Sequence, residues 1–323
     1  RLAVPTDGRV AAAWYYGADF VTAESAAMLN GGGGVVDVVV SQSDMVMLRA
    51  DGSVCDVEGL SDDVDRRRWD CLPVDHLGLA SGVVKVVAGW EDFAALKADG
   101  SVVRWGANVD NWQSNVDDID AALGSEVVDV VATQSNKHSS TIPVVDDVFI
   151  RNVYMFVALK KDGSVVTWGV AGEENYALAP ASDSCCYERV VASRCAFAAF
   201  KSDGSIFTWG HEGCVGGSAR PRERGRGSVS HPPGTVFPGA EVVASDAAFA
   251  ALRSDGSVFA WGSVQHGGDI GIQPQDEHSN VLGTPASQPD GTRTVLDVRK
   301  IVAGTRSFAA LKRDGTVVVW GNF

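Results

Sequence analysis

A short apolar tract interrupted by one turn recurs along the chain. It reads FAALKADGSVVRWG at 93–106. Near-identical copies return at 156–169, 197–210, 249–262 and 308–321. A drifted copy occupies 45–58, with Val57 in place of the tryptophan, and a partial copy occupies 2–14. Because a β-branched run such as Val86-Val87-Ala88 precedes each of the six complete copies, the pattern predicts a repeating unit of strand, turn, strand, tight turn and strand.

The Asp-Gly pair in each copy predicts a hairpin. Glycine adopts a positive φ without steric cost, and aspartate can accept hydrogen bonds from its own turn. The turn glycines of the six complete copies are Gly52, Gly100, Gly163, Gly204, Gly256 and Gly315. A tryptophan at one shared repeat position is predicted to pack in the framework of five copies: Trp105, Trp168, Trp209, Trp261 and Trp320.

The strand Phe-Ala-Ala-Leu is apolar on both faces, so it must be covered from both sides. Stacked sheets meet that requirement, with alanine pairs where the sheets converge and Phe and Trp where they diverge. Successive Asp-Gly pairs lie 41 to 63 residues apart, a spacing that suits a four-stranded propeller blade. We therefore predict an all-β fold, a seven-bladed β-propeller of four-stranded antiparallel blades, closed by pairing of the N- and C-terminal segments.

Residues 1–323 are predicted to form a single β-propeller domain. Its repeat units lie approximately at 1–34, 35–82, 83–126, 127–186, 187–238, 239–296 and 297–323. The one helical signal is a short turn near Asp117 to Leu123.

The charge of the protein restricts its partners. It has 27 Lys and Arg against 41 Asp and Glu, a formal net charge of −14. Nucleic-acid affinity rests largely on basic side chains that displace counterions, so nucleic acid is not an expected partner. Apolar runs are too short for a membrane span, and we expect a soluble protein. The six cysteines leave the compartment open and suggest one hypothetical pair, Cys185 with Cys195.

The common signatures of catalysis and metal binding are missing from the sequence. It contains no H-E-x-x-H, no G-x-S-x-G and no phosphate-binding glycine loop. The six histidines are scattered over connectors without metal-ligand spacing, and the acidic runs lack the glycine of a calcium loop. We therefore expect that the protein is not an enzyme and that it needs neither a cofactor nor a metal.

The recurring frame has a known counterpart. V-V-A-G/S followed by F-A-A-L-K-x-D-G-x-V-x-x-W-G resembles the repeat of the regulator of chromosome condensation (RCC-type) family over nearly the whole sequence. Members of that family are seven-bladed propellers, and the resemblance implies the same fold here. The family's Gly-Gln-Leu-Gly after Trp-Gly is missing from every copy, and in this respect the repeats are similar to the divergent ones of the propeller-type β-lactamase inhibitor protein.

The resemblance implies binding, although partners differ widely within the family and fold alone does not choose among them. It implies a non-enzymatic protein–protein interaction scaffold that binds another protein, of unknown identity, through variable loops on a rigid disc. Two alternatives stay open. One is a regulatory propeller domain of a larger protein, such as a HECT-type ubiquitin ligase or a guanine-nucleotide exchange factor. The other is a propeller enzyme with a site at the mouth of the channel.

Variable loops carry the candidate partner-binding residues, because rigid scaffolds commonly present function on loops. One loop holds four arginines within seven residues: Arg220, Arg222, Arg224 and Arg226. They predict docking of an acidic partner, or a solvated loop. Trp90 and Trp112 lie outside the repeat frame and are candidate interface anchors, with burial under a loop as the alternative. Lys137 and His138 are candidates because they lie in an insertion of 19 residues between Ala132 and Phe156.

A basic residue stands two positions before each turn aspartate in the six complete copies. These residues are Arg49, Lys97, Lys160, Lys201, Arg253 and Lys312. They predict either solvated hairpin ends or an anion held over the channel.

Overall fold

The structure of the protein is a computed structural model. It describes residues 34–41, 44–58, 70–73, 77–89, 92–106, 116–133, 153–171, 186–210, 214, 239–270, 286–287 and 293–322. The protein divides into two compact units, residues 1–130 and 131–323. Within the described residues, β-strands dominate both units.

Sheets A and B lie in the first unit. Sheet A consists of β1 (Val35–Val40), β2 (Met45–Arg49), β3 (Val54–Glu58) and β4 (Asp70–Pro73), paired antiparallel in that order. Sheet B consists of β5 (Val83–Ala88), β6 (Asp92–Lys97) and β7 (Val102–Gly106). The two sheets share one apolar cluster, in which Val46 and Leu48 of β2 meet Val83 and Val86 of β5. Helix α1 (Val116–Leu123) follows at the predicted helical turn.

Four further three-stranded sheets follow along the sequence. Sheet C consists of β8 (Val127–Ala132), β9 (Val153–Lys160) and β10 (Val165–Ala171). Sheet D consists of β11 (Tyr187–Ala192), β12 (Ala196–Lys201) and β13 (Ile206–Gly210). Sheet E consists of β14 (Glu241–Ala244), β15 (Ala248–Leu252) and β16 (Val258–Gly262). A two-stranded pair, β17 (Ala286–Ser287) and β18 (Arg293–Thr294), precedes sheet F, which consists of β19 (Val298–Ala303), β20 (Ser307–Lys312) and β21 (Val317–Gly321).

Strand β12 shows how the sheets of the second unit stack. Its alternate residues Phe197 and Ala199 pack in a cluster with sheet C, while Ala198 and Phe200 pack in a cluster with sheet E. All four side chains are buried. An apolar strand with both faces covered is the arrangement that its residue pattern predicts, and it buries roughly twice the apolar area of a half-exposed strand.

The repeat phenylalanine and the repeat tryptophan lie directly opposite each other on the second and third strands of sheets B to F. Their rings stack with centroids 5.3–5.4 Å apart. Trp168, Trp209, Trp261 and Trp320 are buried, and Trp105 is half-buried. In sheets B, D, E and F each pair lies in the apolar cluster that its sheet shares with the preceding sheet. Its stacking contributes about 0.5–1.5 kcal/mol beyond the buried area.

The glycine of the Asp-Gly turn joins one sheet to the next. Gly163 has φ = 80°, and its carbonyl accepts a hydrogen bond from the amide of Tyr187 at the start of β11, at 3.0 Å. A Cβ at this position would lie 2.7 Å from the Cα of Cys186. Glycine is required here for two reasons, because the turn needs a positive φ and the backbone of the next sheet leaves no room for a side chain.

The prediction of an all-β protein of repeated antiparallel sheets is confirmed. Among the described residues, sheet A alone carries a fourth strand. The seven blades, the fourth strand of every blade, the single domain and the pairing of the termini stay predictions. The hypothetical pair of Cys185 with Cys195 is wrong, because Cys195 forms a disulfide with Cys214, with the two Cα atoms 6.1 Å apart.

Candidate partner-binding site

The repeat gives each of the sheets B to F two different ends. At one end, the third strand finishes with Trp-Gly beside the start of the second strand, as Gly210 lies opposite Ala196 in sheet D. We call this the Trp-Gly end. At the other end, the second and third strands are joined by the Asp-Gly turn, and we call it the Asp-Gly end. Because the strands are antiparallel, the turn between the first and second strands lies at the Trp-Gly end.

The Asp-Gly ends are closed by local hydrogen bonds. In the turn after β12, the Asp203 carboxylate accepts the amide of Ser205 at 2.8 Å, and the Gly204 amide donates to the carbonyl of Lys201 at 2.9 Å. The hydrogen bonds from Ser205 lower the pKa of Asp203 below its ordinary value of 3.8. The pKa of the equivalent aspartate is lowered for the same reason in the other five turns: Asp51, Asp99, Asp162, Asp255 and Asp314.

Several of the basic residues beside these turns have neighbouring contacts. Lys201 lies over the ring of Tyr187, 5.3 Å from its centroid, and Arg253 lies over the ring of Phe259 at 5.8 Å. Lys97 donates to a backbone carbonyl, that of Gly78, at 3.1 Å. These contacts fit solvated hairpin ends that cover neighbouring apolar surface with their alkyl stems.

The sequence-predicted partner-binding residues lie outside the described residues. Their flanking strands nevertheless define the end of the sheet from which each segment leaves. Trp90 lies in the turn between β5 and β6, and Trp112 follows β7. Lys137 and His138 lie between β8 and β9, and the four arginines from Arg220 to Arg226 follow β13. All of these segments begin at the Trp-Gly end of their sheets, and the long connector after β16 does so too.

Cys214 anchors the start of the segment that carries the four arginines. It lies four residues after the end of β13 and is buried. Its disulfide partner, Cys195, lies in the turn between β11 and β12, at the same Trp-Gly end. The segment that leaves sheet D is thus tied back to a turn of that sheet. Cys55 and Cys186 are also disulfide-bonded.

Three turns at the Trp-Gly ends of sheets D, E and F are joined by backbone hydrogen bonds. The amide of Arg194 donates to the carbonyl of Asp246 at 3.0 Å. The amide of Asp246 donates in turn to the carbonyl of Thr305 at 2.9 Å. The side chains of Arg194 and Asp246 form an ion pair of 3.0 Å between Nη1 and Oδ2. Residues more than a hundred positions apart in the sequence are therefore neighbours on one surface.

His266 lies in the short 3-10 helix Val264–His266 that follows β16, and only 2 % of its surface is exposed. Its Nδ1 lies 3.0 Å from the Oγ of Ser263, and its backbone carbonyl accepts a hydrogen bond from the Oγ of Ser245 at 2.9 Å. Burial lowers the pKa of His266 to about 4, with further lowering by the positive charges of Arg306 and Arg194. The imidazole is therefore neutral at pH 7. We call Arg194, Asp246, His266 and Arg306 the turn cluster.

The sequence did not single out the turn cluster. His266 is one of six histidines scattered over connectors, and the two arginines and Asp246 lie in short turns without a recognisable motif. One signal is present, because Arg194, Asp246 and Arg306 all lie among the four residues between the β-branched run and the repeat phenylalanine. Aligning the copies on that turn reveals the set, although the alignment does not show that His266 approaches it.

The described residues lack the features of two other functional classes. They contain no group of three or more His, Cys, Asp or Glu side chains that could hold a metal ion. They also contain no helix that is long and apolar enough to cross a membrane.

Comparison with known proteins gives structural similarities at low identity. No protein-family model and no curated protein sequence matches the protein. The fold is similar to that of Prp20p from Saccharomyces cerevisiae, a protein studied for its binding to Gsp1p and histones. The two share 16 % identity and a TM-score of 0.49, over 89 % of this chain and 72 % of that one. Human WBSCR16 is similar at 15 % identity and a TM-score of 0.49, over 90 % and 77 % of the two chains. The CRINKLY ectodomain of the Arabidopsis thaliana receptor kinase ACR4 is similar at 15 % identity and a TM-score of 0.44, over 88 % and 80 %.

Proposed function

We propose that the protein is a seven-bladed propeller that acts as a non-enzymatic scaffold and binds a partner protein at the Trp-Gly ends of its sheets. The observation that carries this proposal is the origin of the variable segments. Each candidate loop starts at a Trp-Gly end, whereas the Asp-Gly ends are tight turns that repeat with almost no variation. A surface that distinguishes one partner from another requires variation, and each of these variable segments begins at a Trp-Gly end, although the connectors after β7 and β16 return to an Asp-Gly end before the next sheet begins.

Charge defines the class of partner. The protein has a net charge of −14, yet the loop after Cys214 holds four arginines, and Arg194 and Arg306 lie in turns at the Trp-Gly ends. Opposite charges on a partner increase the association rate and select against orientations that bring like charges together. An acidic surface on a protein partner fits this end, and nucleic acid does not fit the overall charge.

A catalytic role is an alternative function to consider at His266 of the turn cluster, because its Nδ1 lies within hydrogen-bonding distance of the Oγ of Ser263. A histidine acts as a general base most effectively when its pKa is near the working pH. With a pKa of about 4 and a nearly fully buried ring, His266 is a weak base with little access to substrate. We therefore assign the pair a structural role, in which Ser263 fixes the orientation of the ring.

The cysteines bear on the compartment. Four described cysteines, Cys55, Cys186, Cys195 and Cys214, are in disulfides. Disulfides persist in oxidising environments and are rare where glutathione keeps thiols reduced. We propose that the protein meets its partner in an oxidising compartment, and thiol labelling of the native protein before and after reduction tests this directly.

Site-specific photo-crosslinking tests the binding surface. A photoreactive amino acid is placed at Thr305, which is exposed at the Trp-Gly end of sheet F, and separately at Arg313, which is exposed at the Asp-Gly end of the same sheet. We expect the Thr305 variant to crosslink a protein from the native source and the Arg313 variant to crosslink much less of it. Equal crosslinking at the two positions, or crosslinking at Arg313 alone, would contradict the proposed surface.

A further inference from the structure

We infer that residues 263–270, the segment that follows β16, form an acid-sensitive latch. At neutral pH this segment is held against sheets E and F, and protonation of the His266 ring releases it. We call the segment the latch. It begins at the Trp-Gly end of sheet E, so its role as a regulator of partner binding rests on the proposed function, whereas its opening is measured without a partner.

Hydrogen bonds from two neighbouring elements hold the latch in place. The indole Nε1 of Trp320, in β21, donates to the carbonyl of Gly267 at 3.0 Å. The Oγ of Ser245, in the turn between β14 and β15, donates to the carbonyl of His266 at 2.9 Å. The last residue of the latch, Ile270, is buried in the apolar cluster that sheets E and F share. Because His266 and the residue after it make both polar attachments, a displacement of the histidine breaks them together.

The imidazole of His266 occupies a site that suits its neutral form. Only 2 % of the residue is exposed, and its Nδ1 lies 3.0 Å from the Oγ of Ser263. Among the described residues, no carboxylate forms an ion pair with the ring. A protonated ring carries a full charge and a donor on both nitrogens, and burial of an unpaired charge is strongly unfavourable. Protonation of the ring and closure of the latch therefore oppose each other.

Charged residues in the turns packed around the latch add to this opposition. Arg194 lies in the turn between β11 and β12, and Arg306 lies in the turn between β19 and β20. The carboxylate of Asp246, in the turn between β14 and β15, is engaged in its ion pair with Arg194. Asp269 lies in the latch itself, three residues after the histidine. Burial first, and then the positive charges of Arg306 and Arg194, lower the pKa of His266 to about 4.

The direction of the pH dependence follows from proton linkage. A ring released from the latch is hydrated and returns to its ordinary pKa of 6.5. The open latch therefore takes up a proton at a higher pH than the closed latch, and acid favours opening. His266 supports closure fully above pH 6.5, and this support is lost as the pH falls from 6.5 towards 4. Between pH 8 and pH 5 the opening equilibrium is expected to rise by about thirtyfold.

Hydrogen exchange followed by NMR measures this opening in the full-length protein. Two N–H groups report on the latch: the indole of Trp320, assigned with the Trp320→Phe variant, and the amide of Gly268, which donates to the carbonyl of Ser263 at 2.8 Å. After correction for the intrinsic pH dependence of exchange, both should open about thirtyfold more often at pH 5 than at pH 8. The amides of β12, in sheet D, are the reference and should change far less.

Two variants separate protonation from packing. His266→Gln keeps a polar side chain that does not titrate in this range, so the pH dependence of both reporters should disappear. Ser263→Ala removes the hydroxyl beside Nδ1 but keeps the histidine. We expect Ser263→Ala to increase opening at both pH values and to retain the ratio between them. Direct NMR titration of the His266 ring in the wild-type protein requires no variant for the measurement and should give a pKa well below 6.5.

Three results would overturn the inference: an unchanged pH dependence in His266→Gln, a rise in the β12 amides equal to that of the latch, or titration of the folded His266 ring near pH 6.5. The two proposals fail separately. If the Thr305 variant crosslinks the partner but acid does not open the latch, the scaffold proposal stands and the latch is wrong. If acid opens the latch but crosslinking occurs only at Arg313, the latch exists and the proposed partner surface is wrong.

Discussion

The repeat tryptophans offer a test of what one buried hydrogen bond contributes in this fold. The indole Nε1 of Trp320 donates to the carbonyl of Gly267 at 3.0 Å. The equivalent Nε1 of Trp209 is buried and has no hydrogen-bond partner in the structure. Both side chains are fully buried, and they stack on Phe308 and Phe197 at 5.4 and 5.3 Å. The two sites differ in the environment of one N–H group and in one neighbour, because Phe207 lies 6.0 Å from Trp209 whereas Val318 has the equivalent position beside Trp320.

Replacing each tryptophan by phenylalanine removes the same atoms from both sites. The loss of ring volume is common to the two variants and cancels in their difference. Trp320→Phe also loses a hydrogen bond with a net contribution of about 0.5–1.5 kcal/mol. Trp209→Phe removes an unsatisfied buried donor, which relieves a desolvation cost of about 1–3 kcal/mol. We therefore expect Trp320→Phe to lower the free energy of unfolding by about 2–4 kcal/mol more than Trp209→Phe does.

Denaturant unfolding of the full-length protein, followed by circular dichroism, measures both changes. Trp168→Phe is a matched control, because its Nε1 is likewise buried without a partner, and it should behave like Trp209→Phe. The reasoning is refuted if Trp209→Phe proves as destabilising as Trp320→Phe. It is also refuted if Trp168→Phe resembles Trp320→Phe.

Three further predictions concern the turns and the disulfide. Gly315 has φ = 86° and no atom near an added Cβ, so Gly315→Ala should lower the free energy of unfolding by about 1–2 kcal/mol. Gly163→Ala should lower it clearly more, because the added Cβ would clash with backbone atoms. Equal losses in the two variants would contradict this prediction. Because the pKa of Asp203 is lowered in the folded state, its carboxylate contributes fully to stability above pH 3.8, and this contribution is lost as the pH falls through the folded-state pKa. Asp203→Asn should therefore make the free energy of unfolding fall less steeply with decreasing pH in the acid range. An unchanged slope would contradict this prediction. Replacing Cys195 and Cys214 together by alanine should lower the free energy of unfolding by about 3 kcal/mol, because the disulfide closes a loop with a sequence separation of 19 residues. Denaturant titrations without reductant measure this change, and a double variant as stable as the wild type would contradict it.

Local contacts explain why the turns and strands were predictable. The aspartate of each Asp-Gly turn accepts hydrogen bonds from the residue two positions later, so the whole interaction is written within one short stretch of sequence. The stacked pair of Phe197 and Trp209 is nearly as local, because the hairpin places its two members opposite each other. The pairing of Cys195 was not predictable in the same way, since six cysteines allow many pairings and only the fold brings Cys214 to that turn.

The amino-acid sequence by itself determined the repeating antiparallel sheets, their turns, and the apolar residues that fill the space between them, because period, turn chemistry and hydrophobicity act over a few residues. The tertiary structure alone decided which polar side chains meet. Arg194, Asp246, His266 and Arg306 come from four segments spread over more than a hundred residues, and they become neighbours through backbone bonds between adjacent sheets. A site of that kind depends on distances between sheets, and no residue pattern within one copy of the repeat contains those distances.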